Sequence, residues 1–130
     1  GHPSALPELL GPGDLLREIA AGSGTVTVPH ALHERRPAGL TRELVLTTPA
    51  YDVWVMHWPA GEAADLHQHD AHVAFHVVDG HVTEERHRLD GVTRLDLRTG
   101  QTSVVPPHTP HRLVSHVDTT TVHVHATELG

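Results

Sequence analysis

From residue 25 onward, apolar and polar positions alternate in short runs broken by Gly, Pro and Asp. The runs are TVTV (25–28), RELVL (42–46), YDVWVMHW (51–58), DLHQH (65–69), HVAFHVV (72–78), HVTEERHR (81–88), TRLDL (93–97), TSVV (102–105), HRLVSHV (111–117) and TTTVHVHA (119–126). A period of two is the signature of strands with unlike faces. Ahead of them, LPELLGPGDLLREIAA (6–21) carries the best helical pattern, with Asp14 placed to cap LLREIAA and Gly22 to close it. Asp79-Gly80 and Asp90-Gly91 are hairpin-turn dipeptides. The pattern predicts an all-β antiparallel barrel or sandwich over residues 24–130 after a helical lead-in over 1–23.

Alternation also assigns faces. Trp54, Met56 and Trp58 share one face and His57 takes the other. His72 and His76 face away from Val73, Phe75 and Val77, on the outside. The run Glu84-Glu85-Arg86-His87-Arg88 reads as a solvated hairpin.

Composition narrows the function classes. The 130 residues suffice for one domain with its own core. A formal charge of −7 and the lack of a basic stripe argue against nucleic-acid binding. There is no cysteine, hence no disulfide framework and no protein thiolate chemistry. No apolar run approaches a membrane span and no leader pattern is visible, so a cytoplasmic protein without a membrane partner is expected. The anomaly is histidine, 15 of 130 residues.

Two of these histidines, His67 and His69, are two apart in extended sequence, so their imidazoles point the same way. Imidazole is a good ligand for zinc, iron, nickel and copper. The segment GQTSVVPPHTPHRLVS (100–115) offers a third histidine after a Pro-rich turn.

These two segments resemble the paired motifs of the cupin superfamily, small jelly-roll β-barrels. The first reads Gly61, five residues, His67-x-His69, three residues, Val73, six residues, Gly80. The second reads Gly100, five residues, Pro106, His108 where glycine is usual, two residues, His111, three residues, Ser115. The family's glutamate ligand falls on Val73. The resemblance therefore implies a single cupin barrel with a metal site of His67, His69 and His111, and His108 at the rim. A three-histidine site without the glutamate is similar to the thiol dioxygenases typified by cysteine dioxygenase. Thr41-Arg42-Glu43-Leu44-Val45 resembles the segment whose arginine binds the substrate carboxylate. Thr121-Val122-His123-Val124-His125 resembles the family's Ser-x-His-x-Tyr, with His125 in place of the tyrosine.

The resemblance implies one divalent metal, Fe(II) ahead of Zn(II), with Arg42, His123 and His125 as catalytic residues. Arg42, Met56, Trp58, Val73 and Phe75 are the expected substrate contacts. The leading expectation is an enzyme acting with O2 on a small anionic, amino-acid-like thiol. The second is a non-oxidative zinc cupin that rearranges or isomerises an amino-acid-derived substrate, for example forming a nitrogen–nitrogen bond in a biosynthetic pathway. The third is a sensor cupin without turnover. A homodimer, or fusion to a larger enzyme, is compatible with each.

Overall fold

The computed structural model describes residues 12–23 and 39–127. The run at 25–28 and most of the stretch joining lead-in to barrel lie outside the described residues. Among the described residues, helix α1 (Pro12–Ser23) is followed by eight strands: β1 (Thr41–Thr47), β2 (Tyr51–Trp58), β3 (Val73–Asp79), β4 (His81–Arg88), β5 (Gly91–Arg98), β6 (Thr102–Val105), β7 (His111–Ser115) and β8 (Thr119–Ala126). They form a five-stranded sheet in the order β1-β2-β8-β3-β6 and a three-stranded sheet in the order β5-β4-β7. All pairings are antiparallel.

Trp58, Val73, Phe75, Val77, Val82, Leu97, Val105 and Leu113 come from both sheets and fill the space between them. The opposite face of the larger sheet presents Val53, Val55, Ala74, Val122 and Val124, which close around Ala20 of α1. So the larger sheet buries both faces, and the alternation that reads as half-buried in sequence is in part a choice between two apolar layers. His76 faces outward as its register requires, and is buried there with Nδ1 2.7 Å from the Thr102 hydroxyl.

Three sequence expectations need correction. The helix starts at Pro12, a favoured first helical residue, so Asp14 lies inside the first turn and Gly22 inside the last. Asp79-Gly80 does not make a hairpin, because β3 and β4 belong to different sheets; it carries the chain from one sheet to the other. Residues 65–69 form no regular strand. Their segment runs beside β7 through isolated bridges, Ala63 to Val114 and His67 to His111, and through further backbone bonds such as Ala64 N–H to the Leu113 carbonyl, without forming a regular strand.

The crossing at Gly80 is tight. Its φ is +126°, and a Cβ there would lie 2.8 Å from Thr119 Cα. Backbone cannot retreat as a flexible side-chain tip can. Gly80→Ala should cost about 2 kcal/mol and lower Tm by roughly 8 °C. Thermal unfolding of the variant checks this, and an unchanged Tm would mean that the crossover readily relaxes.

Candidate metal centre

The hydrogen-bonded bridge between His67 and His111 brings the two sequence motifs together. His67 N–H donates to the His111 carbonyl at 3.1 Å, and His111 N–H donates to the His67 carbonyl at 2.8 Å. His69 follows two residues on, with its ring 4.8 Å from that of His67 and 5.8 Å from that of His111. One ring nitrogen from each of the three lies within 4.8 Å of the others.

Tautomers are set by neighbours. His67 Nδ1 donates to the Asp65 carbonyl at 2.7 Å, which leaves the Nε2 lone pair free. His111 Nδ1 donates to Glu84 Oε2 at 3.1 Å. Its Nε2 is shut off from solvent and has no hydrogen-bond partner. An orphaned buried nitrogen costs free energy unless something binds it. Converging imidazoles with nitrogens held ready fit a divalent ion of the zinc or iron type.

Glu84 is the functional residue that sequence reading missed. Far from solvated, it is 1 % exposed. Burial pushes its pKa up, but bonds from His111, Arg86 and Ser103 outweigh this and hold the carboxyl below its ordinary value. Ser103 donates to Oε1 at 2.8 Å, and Arg86 Nε donates to Oε2 at 3.1 Å. The neighbouring Glu85 faces the other way and takes bonds from Arg112 at 2.9 Å and Arg94 at 3.2 Å. The expected solvated run is thus two ion networks, one on each face of β4. The sequence signal was the shared face of Val82, Glu84 and Arg86, but alternation alone does not say which face is inside.

The histidines open onto a cavity of about 320 Å³. Arg42, Met56, Trp58, Val73, His123 and His125 also line it. Register explains why: Arg42 pairs with Met56, and Val73 pairs with His125, so each pair projects to the inner face. The Arg42 guanidinium lies 4.3 Å from the Trp54 ring centre, a cation–π arrangement that holds it at the mouth. Phe75 does not reach the cavity. It is fully buried, stacked against the His123 ring at 5.4 Å, and so supports a wall residue.

Thr121 links two wall residues. Its hydroxyl accepts from Trp58 Nε1 at 2.9 Å and lies 2.8 Å from His123 Nε2. His125 sits beside His69, ring centres 4.9 Å apart. Burial, then neighbouring imidazoles and Arg42, pushes His69 down to about 4; burial, then His69 and Arg42, does the same to His125. Burial, reinforced by the other imidazoles, takes His123 well below its usual value. Crowded imidazoles beside one arginine stay neutral, and neutral nitrogens are what a metal requires.

His108 takes φ +59°, the left-handed conformation that glycine adopts freely, which explains the glycine usual there. Its N–H donates to the His69 carbonyl at 2.8 Å, while its exposed ring stands 3.9 Å from Asp70. Its backbone fixes that of a cavity histidine, while His108 itself is not among the residues lining the cavity.

A family described as cysteine dioxygenase type I matches residues 31–126. Several solved structures are similar in fold. A cupin superfamily protein from Desulfitobacterium hafniense has TM-score 0.64 and 12% identity, covering 73% of this chain and 84% of its own. KdgF from a Halomonas species has TM-score 0.63 and 24% identity, with the same coverage of 73% and 84%. A variant of Bacillus subtilis oxalate decarboxylase has TM-score 0.66 and 16% identity, covering 75% of this chain but 28% of that one. No curated protein sequence matches the chain.

Proposed function

The chain belongs to the cysteine dioxygenase type I family and has the cupin fold, and from that premise we propose that it oxygenates a small thiol carboxylate to the sulfinate. Both atoms of O2 enter the sulfur, RSH + O2 → RSO2H, so no further reductant is needed. The carrying observation is that one cavity gathers His67, His69 and His111 with Arg42 and His125 around it. A divalent ion held by the three histidines, Fe(II) in this reading, supplies the Lewis acidity and the dioxygen chemistry. The remaining work falls to the protein. Arg42 offers the fork that grips a carboxylate, pre-oriented by the Trp54 face beneath it. Met56, Trp58 and Val73 form an apolar wall that excludes water around the carbon chain. His125 and His123, both lining the cavity, would take a proton from the substrate or return it.

A second reading rests on His125. An imidazole held neutral beside His69, where the resembling motif has a tyrosine, suits proton transfer. That favours a redox-inert zinc enzyme that rearranges an amino-acid-derived substrate.

One experiment separates the two. Metal content is measured on protein purified without a metal column, and oxygen uptake is followed with cysteine and short mercapto-acids after anaerobic iron loading. The dioxygenase reading expects bound iron and one O2 consumed per thiol. Arg42→Ala should then raise KM about ten- to a hundredfold, the worth of a charge-assisted hydrogen bond. Tightly held zinc with no oxygen uptake after iron loading would sink the oxidative reading. An unchanged KM in Arg42→Ala would remove the carboxylate anchor.

A further inference from the structure

The outward face of the three-stranded sheet carries a second group of metal-type ligands, separate from the barrel cavity. Strand β4 turns Val82 and Glu84 inward, so His81 and Thr83 point outward. Pairing then sets their neighbours. His116, just past β7, donates its N–H to the His81 carbonyl at 3.0 Å, which places the two side chains together with ring centres 4.5 Å apart. Asp96 of β5 stands opposite Thr83. Ring nitrogens of His81 and His116 and a carboxylate oxygen of Asp96 all lie within 4.8 Å of one another.

A second observation points to a missing ligand. His81 Nε2 has no hydrogen-bond partner and is closed off from solvent, although it belongs to a surface residue. Asp96 Oδ1 is 3.7 Å from it, beyond hydrogen-bond range. That gap leaves room for an ion between nitrogen and oxygen, not a direct bond. The carboxylate is already aimed: Thr83 Oγ1 donates to Asp96 Oδ1 at 2.6 Å and sits 2.6 Å from His116 Nε2. A hydroxyl tying two ligands together is the kind of outer support that orients metal-binding side chains.

We propose that His81, Asp96 and His116 form a second divalent-metal site, distinct from the barrel histidines. Two imidazoles and a carboxylate suit a borderline ion such as zinc, with water completing the coordination. The ligands come from β4, β5 and the end of β7, so the ion ties together all three strands of the smaller sheet. Its role is a clamp on the sheet whose inner face holds Glu84 and His111.

Zinc titration of chelator-treated protein tests the proposal, read by calorimetry against a micromolar chromophoric chelator. The wild-type chain should bind two zinc ions. His116→Ala and Asp96→Ala should each bind one and keep the barrel ion, because both residues are exposed and neither touches the cavity. His67→Ala combined with His69→Ala should keep only the outer ion. Zinc should also raise Tm of that double variant by several degrees, and of His116→Ala combined with His67→Ala and His69→Ala not at all. A double variant of His67→Ala and His69→Ala that binds no zinc would overturn the site. So would a second equivalent that survives His116→Ala, or one seen only at millimolar zinc.

Discussion

Protein carrying both His67→Ala and His69→Ala should hold no metal in the barrel, show no turnover, and still fold. Zinc held by four ligands in a small site is worth about 10–16 kcal/mol, so each ligand carries roughly 3 kcal/mol and losing two weakens binding on the order of 10⁴-fold. The apo fold should scarcely notice. His67 is exposed and His69 half-buried, and both belong to a segment attached by backbone bridges that alanine retains. Metal analysis and thermal unfolding of the apo forms check the two halves separately. Turnover that persists without the ion would dismiss the metal centre as the reacting site, whatever the fold.

His111 is not equivalent to that pair, and the reason shows what the sequence could and could not convey. All three histidines were legible from spacing, because cupin motifs are local and the period-two rule holds even where residues 65–69 form no ladder. Strands β2, β4, β6 and β8 were legible to the residue, since turn residues bound them closely. Asp79-Gly80 announced a turn, but a turn does not say which strand comes next to which; that depends on contacts between sheets. Glu84 was harder still. A glutamate within Glu-Glu-Arg-His-Arg belongs in water by every local rule, and its burial is made tolerable by Arg86 together with Ser103 and His111, the last two 19 and 27 residues away. Asp96 and His116 were unremarkable for the same reason: each acquires meaning only when β5 and β7 flank β4.

Glu84 therefore offers the sharper test of how the site is built. Val73 stands where the cupin superfamily's glutamate ligand would fall, so that position offers the site no carboxylate. A carboxylate does stand one residue behind, against His111 Nδ1, where it fixes the tautomer that leaves the Nε2 lone pair for a metal. Glu84→Gln keeps the size and a carbonyl to accept that proton but drops the charge, and should weaken metal binding about 10- to 100-fold. Glu84→Ala removes more. It strips Arg86 of its buried partner, and a buried pair broken on one side costs about 3–5 kcal/mol, so this variant should unfold at markedly lower temperature with or without metal. Ser103→Ala calibrates both, since it deletes one neutral donor to Glu84 and leaves the charge and His111 in place; its metal affinity should change less than that of Glu84→Gln. If Glu84→Gln and the wild type bind metal equally while both glutamate variants lose stability, Glu84 serves only to balance Arg86. If affinity falls in Glu84→Gln out of proportion to Tm, the charge lost from the ligand position has been moved outward by one residue, and the barrel retains its electrostatic support without spending a coordination position on it.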